Sequence, residues 1–394
     1  MKSLEEIHKI KIHKKNQNKE LSDNIKELLK KLEDKNIYVI VQTAPSIRVA
    51  LGEEFGMPIG TNVTGKMVTA LKKLGFDKIF DTNTGADFTI VEEANEFVKR
   101  LKENDNLPMM TSCCPAWVRF VEMNYPELIP HLSTCKSPHQ MLGSIIKTYY
   151  AKTQNIDPKK IYTVSIMPCI AKKFERQRPE MKSNKLFDVD NVITTVELAD
   201  LIKSYNINFQ ELEDSNFDNQ LGISTGAGAI FGTTGGVMEA ALRTAQDTLT
   251  GKDLEKIKFG AIRGEKGIKR ASVNIAGRNI NVVVVNGLNN AKIILEEIKM
   301  GKADYQFVEV MACSGGCIMG SGQPLPKSPE FGIDVRKLRA NVIYSIDEKS
   351  TIRKAHESPV IKKVYEEFFE KPGSYRAEKF LHVKYYIKDK NKQI

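Results

Sequence analysis

Three short cysteine blocks, each placed where an apolar run gives out into Gly and Pro, constrain this chain more than any other feature. They are Cys113 and Cys114 in TSCCPAW (111–117), Cys169 in IMPC (166–169), and Cys313 with Cys317 in MACSGGC (311–317). Cys135 is the only other cysteine. So few thiols, clustered beside turn residues in a chain with no secretory leader, point to metal binding rather than a disulfide framework. Four thiolates are the complement of one iron–sulfur cubane. A structural zinc site draws on close Cys-x-x-Cys pairs. Here Cys313 and Cys317 are four apart and the other thiols lie far off in sequence, which argues for a large cluster held by several loops.

The segments before each block read as strands: 107–112 (LPMMTS), 162–168 (YTVSIMP) and 305–312 (YQFVEVMA). A further apolar run, 37–42 (IYVIVQ), has the continuous hydrophobicity of a buried strand. Helical spacing appears at Ile25, Leu28, Leu29 and Leu32 behind an expected N-cap at Ser22, and again over 87–103 and 195–205. A hairpin is expected at Ala276-Gly277-Arg278-Asn279. Strands alternating with helices predict an α/β fold: two lobes with mainly parallel sheets flanked by helices. In such sheets sites assemble at the carboxyl ends of strands, so the three blocks are expected to converge between the lobes. The organisation read from this is a lysine-rich extension over 1–36, one catalytic domain over 37–387 and a tail over 388–394.

Composition excludes several classes. Apolar content of 41% and charged content of 27% are those of a globular chain. No apolar run reaches membrane length and no leader pattern is present, so a cytoplasmic protein with no membrane contact is expected. The net charge of +10, from 59 basic and 49 acidic residues, suggests an acidic partner. Basic residues are spread along the chain without an aromatic-interleaved stripe, so no nucleic-acid partner is expected. GAGAIFGTTGG (226–236) lacks the ending of a phosphate-binding loop and reads as tight packing.

The blocks TSCCPAW, MPCIAKKFE and EVMACSGGCIMGSGQP resemble the three signature blocks of iron-only (FeFe) hydrogenases. The likeness continues through 42–56, 87–97, 188–199, 226–243 and 376–386, and covers residues 37 to 387. The resemblance implies that Cys114, Cys169, Cys313 and Cys317 ligate a 4Fe–4S cubane. Cys317 would also bridge to a two-iron subcluster carrying carbon monoxide, cyanide and an azadithiolate, the two units together forming the H-cluster. It implies that Lys172 donates to a cyanide, that Ala44, Pro45 and Ser46 line the pocket, and that Met167 and Met311 give it a dry wall. Glu175 matches a family position and is expected to pair with a basic neighbour. Cys113 is the implied proton donor and acceptor, relayed through a water to Glu93, Ser133 and Glu96, then to solvent near Arg100. Glu93, Glu96 and Arg100 stand at i, i+3 and i+7, which puts them on one helix face.

Some residues depart from the family pattern. Ala116 and Ser321 stand where glycine is frequent, Ser314 lies inside the last cysteine loop, and His139 stands where glutamine is frequent beside the two-iron site. Cys135 has no usual counterpart, and His8, His13, His131, His356 and His382 receive no role. No cysteine precedes Cys113, so accessory clusters in this chain are not expected, and electrons are expected from an acidic ferredoxin or flavodoxin. Maturation enzymes are the other implied partners, and a monomer or simple homo-oligomer is expected. The implied activity is reversible reduction of protons to hydrogen. The alternatives are a slow hydrogen or redox sensor and a non-catalytic iron–sulfur assembly factor. Sensors bring a signalling domain and assembly factors lose the catalytic thiol and pocket lysine; this sequence shows neither change.

Overall fold

The computed structural model describes residues 21–387 except 253–259, 265, 276 and 326–333. The tail over 388–394, the first twenty residues and Ala276 of the expected hairpin lie outside the described residues. In chain order the strands are β1 (Tyr38–Thr43), β2 (Lys78–Asp81), β3 (Met109–Met110), β4 (Ile161–Met167), β5 (Lys182–Ser183), β6 (Leu186–Phe187), β7 (Asn191–Thr194), β8 (Ile268–Ile275), β9 (Arg278–Asn286) and β10 (Phe307–Met311). The first five helices are α1 (Asp23–Glu33), α2 (Thr64–Lys73), α3 (Thr82–Glu103), α4 (Pro115–Asn124) and α5 (Pro138–Ile145).

Two sheets define two lobes, as the alternation of strands and helices predicts. The first has the order β2-β1-β4-β7 and is parallel throughout. The second has the order β3-β10-β9-β8, parallel except for the β8–β9 hairpin. Strands β4 and β10 are buried along their whole length, as parallel strands covered by helices on both faces must be. The chain order reverses between β1 and β4, because β2 lies on one side of β1 and β4 on the other. That reversal opens the crevice in which doubly wound sheets place their sites. Here it is flanked by Ala44-Pro45-Ser46 after β1 and by Pro168-Cys169 after β4. In the second sheet β3 and β10 run side by side, with Phe307 opposite Met109. Their following residues, Cys113, Cys114 and Cys313, therefore leave from the same edge.

Local differences from the sequence expectations have physical causes. The lysine-rich start contributes a core helix, because α1 buries Ile25 and Leu28 in the first lobe. Ser22 stands at its N-cap position, but the hydroxyl donates to the Glu197 carboxylate at 2.6 Å instead of capping. β3 is two residues long rather than six, although Thr111 N extends the ladder to Val308 O at 2.9 Å. α3 begins at Thr82, five residues before its expected start, because Asp81 caps it by accepting from Asn83 N. Arg48 holds that carboxylate with two hydrogen bonds of 2.7 and 3.1 Å.

α3 runs through the interior and meets α5 at very close range. A Cβ on Gly85 would lie 2.2 Å from the Pro138 carbonyl oxygen, so only glycine permits this crossing. Gln42 at the end of β1 ties the two helices together, its amide donating to His139 O and its oxygen accepting from the Thr82 hydroxyl. Gly85→Ala is expected to destabilise the fold by about 1–3 kcal/mol or more through overpacking against backbone. An unchanged midpoint in anaerobic urea unfolding would contradict this reading of the crossing.

Candidate functional site

The first cysteine loop is rigid for reasons visible in its sequence. Trp117 Nε1 donates to Thr111 O at 3.0 Å and the Ser112 hydroxyl to Cys135 O at 2.8 Å. Pro115 starts α4 directly after Cys114, where its missing N–H costs nothing. The other two loops touch backbone to backbone. Gly322 N donates to Pro168 O at 2.7 Å, and a Cβ on Gly320 would stand 2.2 Å from that same oxygen. Ser321, between these glycines, accepts from Ile170 N at 3.1 Å and lies 4.0 Å from Cys169 Sγ. Its side chain thus stitches one cysteine loop to the next.

Cys113, Cys114, Cys169, Cys313 and Cys317 all line one cavity between the lobes. Ala44, Pro45, Ser46, Met167, Met311, His139 and Lys172 share its wall. None of the thiols is bridged to another. Lys172 Nζ donates to Cys113 O at 2.9 Å and to Glu175 Oε2 at 2.8 Å. His139 Nε2 meets the same carboxylate oxygen at 2.6 Å. Burial alone would raise the Glu175 pKa, but the Lys172 ammonium and His139 outweigh it and pull it to about 2. Burial, then Lys172, depresses His139 below the usual imidazole value, so the ring is neutral and donates through Nε2. Its Nδ1 and the Ser46 hydroxyl are buried without partners.

These observations fit a polar, thiolate-held cofactor. Four unbridged thiols from three loops face one apolar-walled space, a held cation stands at its edge, and two polar side chains have unfilled hydrogen-bonding capacity.

The expected relay residues also come together. Ser133 Oγ donates to Glu96 Oε2 at 2.8 Å, and Thr134 N reaches the same carboxylate at 3.0 Å. Glu93 is 1% exposed and both of its carboxyl oxygens lack a partner. Burial, reinforced by the Glu96 charge, pushes Glu93 up to about 8. Burial, with Glu93 next in effect, also pushes the Cys113 thiol well above its usual value. Arg100 does not open onto solvent. Its guanidinium holds Glu96 Oε1 at 2.7 Å and the carbonyls of Leu132 and Pro130, clamping the Ser133 loop onto α3. The Glu96 side chain itself retains 12% exposure.

The cavity wall includes Thr82, Ala86, Phe231 and Gly232, which sequence reasoning left unassigned. The glycine-rich 226–236 stretch does pack tightly, as expected: a Cβ on Gly228 would meet Asn83 O at 2.5 Å. Its glycine density was the available signal that backbone approaches something closely there.

A two-lobed α/β fold that brings dispersed thiols to one dry cavity, with buried acids leading away, defines a cluster-binding redox domain. Residues 37–321 match the family described as iron only hydrogenase large subunit, C-terminal domain, and residues 333–388 match the iron hydrogenase small subunit. The chain belongs to the iron-only (FeFe) hydrogenase family and carries its H-cluster domain. It is 51% identical over 350 residues to iron hydrogenase 1 of Clostridium pasteurianum, covering 88% of this chain and 61% of that protein's length. It superposes on an apo FeFe-hydrogenase structure from Chlamydomonas reinhardtii with a TM-score of 0.81 and 38% identity, covering 92% of this chain and 99% of that one. Protein NAR1 of Arabidopsis thaliana is 31% identical over 88% of this chain and 78% of its own length. Among the described residues, no helix is long and apolar enough to cross a membrane.

Proposed function

We propose that this chain catalyses the reversible reduction of protons to hydrogen, 2H⁺ + 2e⁻ ⇌ H₂. The observation that carries the reading is the meeting of four loop thiols, a fifth thiol at Cys113 and the anchored Lys172 around one cavity. In this reading Cys114, Cys169, Cys313 and Cys317 would hold a 4Fe–4S cubane, and Cys317 would also help to hold a two-iron unit carrying carbon monoxide, cyanide and azadithiolate. That group, when bound, stores electrons and offers the metal site at which they meet protons.

The chain's own residues bind, orient and move protons. Glu175 fixes the Lys172 ammonium, so the cation reaches the cavity in one orientation and donates to an anionic ligand. The Ser46 hydroxyl is positioned as a further donor. Met167 and Met311 exclude water and keep the local dielectric low. The Cys113 thiol, raised by burial, keeps its proton until a stronger base draws on it. Glu93 then resupplies it, and Ser133 passes protons between Glu93 and Glu96 by rotating its hydroxyl. Arg100 is a positioning residue that sets the Glu96 carboxylate against Ser133.

The electron donor we infer is a small acidic ferredoxin or flavodoxin, supported by the net charge of +10. Specific maturation enzymes would install the two-iron unit. Assembly-factor function, the alternative reading, is disfavoured by the Cys113 thiol and Lys172 ammonium, which an assembly role does not require.

The pH dependence follows from Glu93. A carboxyl raised to about 8 is neutral and proton-loaded below that value and empties above it. Hydrogen evolution by the matured, anaerobic protein with reduced methyl viologen is therefore expected to decline as pH rises through about 8. A rate that stays flat well beyond that pH would remove Glu93 from the donating path. Failure to evolve hydrogen at any pH from fully matured protein would overturn the proposed activity.

A further inference from the structure

At the outer end of the acid chain three ligand types meet: a carboxylate oxygen of Glu96, the thiol sulfur of Cys135 and a ring nitrogen of His382, all within 4.8 Å of one another. Glu96 Oε2 and Cys135 Sγ are 3.9 Å apart. Carboxylate, thiolate and imidazole are the donor set of zinc, which holds them at about 2.0–2.3 Å in a tetrahedron. Closing three atoms around such an ion needs only small side-chain movements from these spacings.

The surroundings of His382 have the form that metal-binding imidazoles require. Its Nε2 faces Glu92 Oε2 at 3.0 Å, while Nδ1 meets the Thr134 hydroxyl at 2.7 Å. With Nε2–H donating to the carboxylate, the lone pair sits on Nδ1, and the Thr134 hydroxyl is a displaceable occupant. Carboxylates in this outer position orient metal-ligating histidines and raise their basicity. Glu92 is itself fixed, accepting from the Tyr365 hydroxyl at 2.5 Å and from Gly373 N at 2.9 Å. Arg100 opposes a cation, but it holds Glu96 through Oε1 and leaves Oε2 to Ser133, Thr134 N and Cys135. Side-chain exposure of 12% for Glu96 and 11% for His382 gives entry from solvent.

We propose that Glu96, Cys135 and His382 form a site for a zinc-class divalent cation, and that filling it closes the proton relay at its outer end. The second half rests on the relay reading above. Binding breaks the Cys135 S–H bond and forms a metal–sulfur bond, the proton leaving to solvent, so no electron is transferred. The cation also takes Glu96 Oε2 from the Ser133 hydroxyl, which interrupts the hydrogen-bonded path. Zinc would thus act as a reversible brake without touching the cofactor cavity.

The test is calorimetric titration of the iron-loaded protein with zinc chloride, followed by hydrogen evolution at measured zinc occupancy. The wild type is expected to bind one zinc per chain at this site. Cys135→Ala and His382→Gln should each weaken binding by about tenfold or more, and Glu92→Gln by about 10- to 100-fold through loss of the orienting carboxylate. Each variant is compared with its own zinc-free rate and with its retained cubane absorbance, which separates lost binding from lost folding. Wild-type activity should fall in step with occupancy and recover on adding a chelator. Absence of zinc binding, or binding that none of these variants alters, overturns the site. Site-specific binding with undiminished turnover overturns the brake and places Glu96 outside the proton path, while leaving the metal site standing.

Discussion

Cys113→Ala is expected to retain its 4Fe–4S cubane and to lose hydrogen turnover by about 10²- to 10⁴-fold, the scale of a lost general acid. The four proposed cubane ligands are untouched by this change, and Lys172 contacts residue 113 through its backbone carbonyl, which alanine keeps. The substitution therefore removes a titratable sulfur and little else. Cys113 lines the cavity while Glu93 is buried and unpartnered, and the other thiols that line the cavity are the four proposed cubane ligands. Cubane absorbance with near wild-type turnover would show that protons arrive by another route.

Glu96→Gln is expected to cut turnover by about a hundredfold or more while the spectra of the bound cofactor stay normal. Glutamine has nearly the same shape and, with its amide oxygen at the Oε1 position, can still accept from Arg100 and Thr134 N, so α3 and the Ser133 loop should stay in register. What it cannot do is pick up and release a proton. Glu96 is the member of the acid chain that combines a direct bond to Ser133 with side-chain exposure. An unaffected rate would place the exit elsewhere on α3.

Much of this site was legible in the sequence because its motifs coincide with strand ends. Cys114, Cys169 and Cys313 follow β3, β4 and β10; parallel pairing of β3 with β10 brings Cys114 and Cys313 off one edge, and Cys169 meets them from the other sheet. The interior of α3 was less legible. Glu92, Glu93 and Arg100 carry the charges that ordinarily mark a solvated helix face, and only tertiary packing buries them. The start of α3 was obscured by Thr, Asn and Gly, residues that read as a turn until Arg48, Gln42 and the α5 crossing are in place. His382 and Cys135 are far apart in sequence, and it takes the fold to set one against the other.

The central claim is that this cavity holds a hydrogen-active two-iron unit beside the cubane. Infrared spectroscopy of anaerobically matured protein, before and after exposure to hydrogen, tests it most directly. The account predicts terminal carbon monoxide and cyanide bands that shift under hydrogen. A protein that retains its cubane signal after maturation but shows no such bands would contradict it.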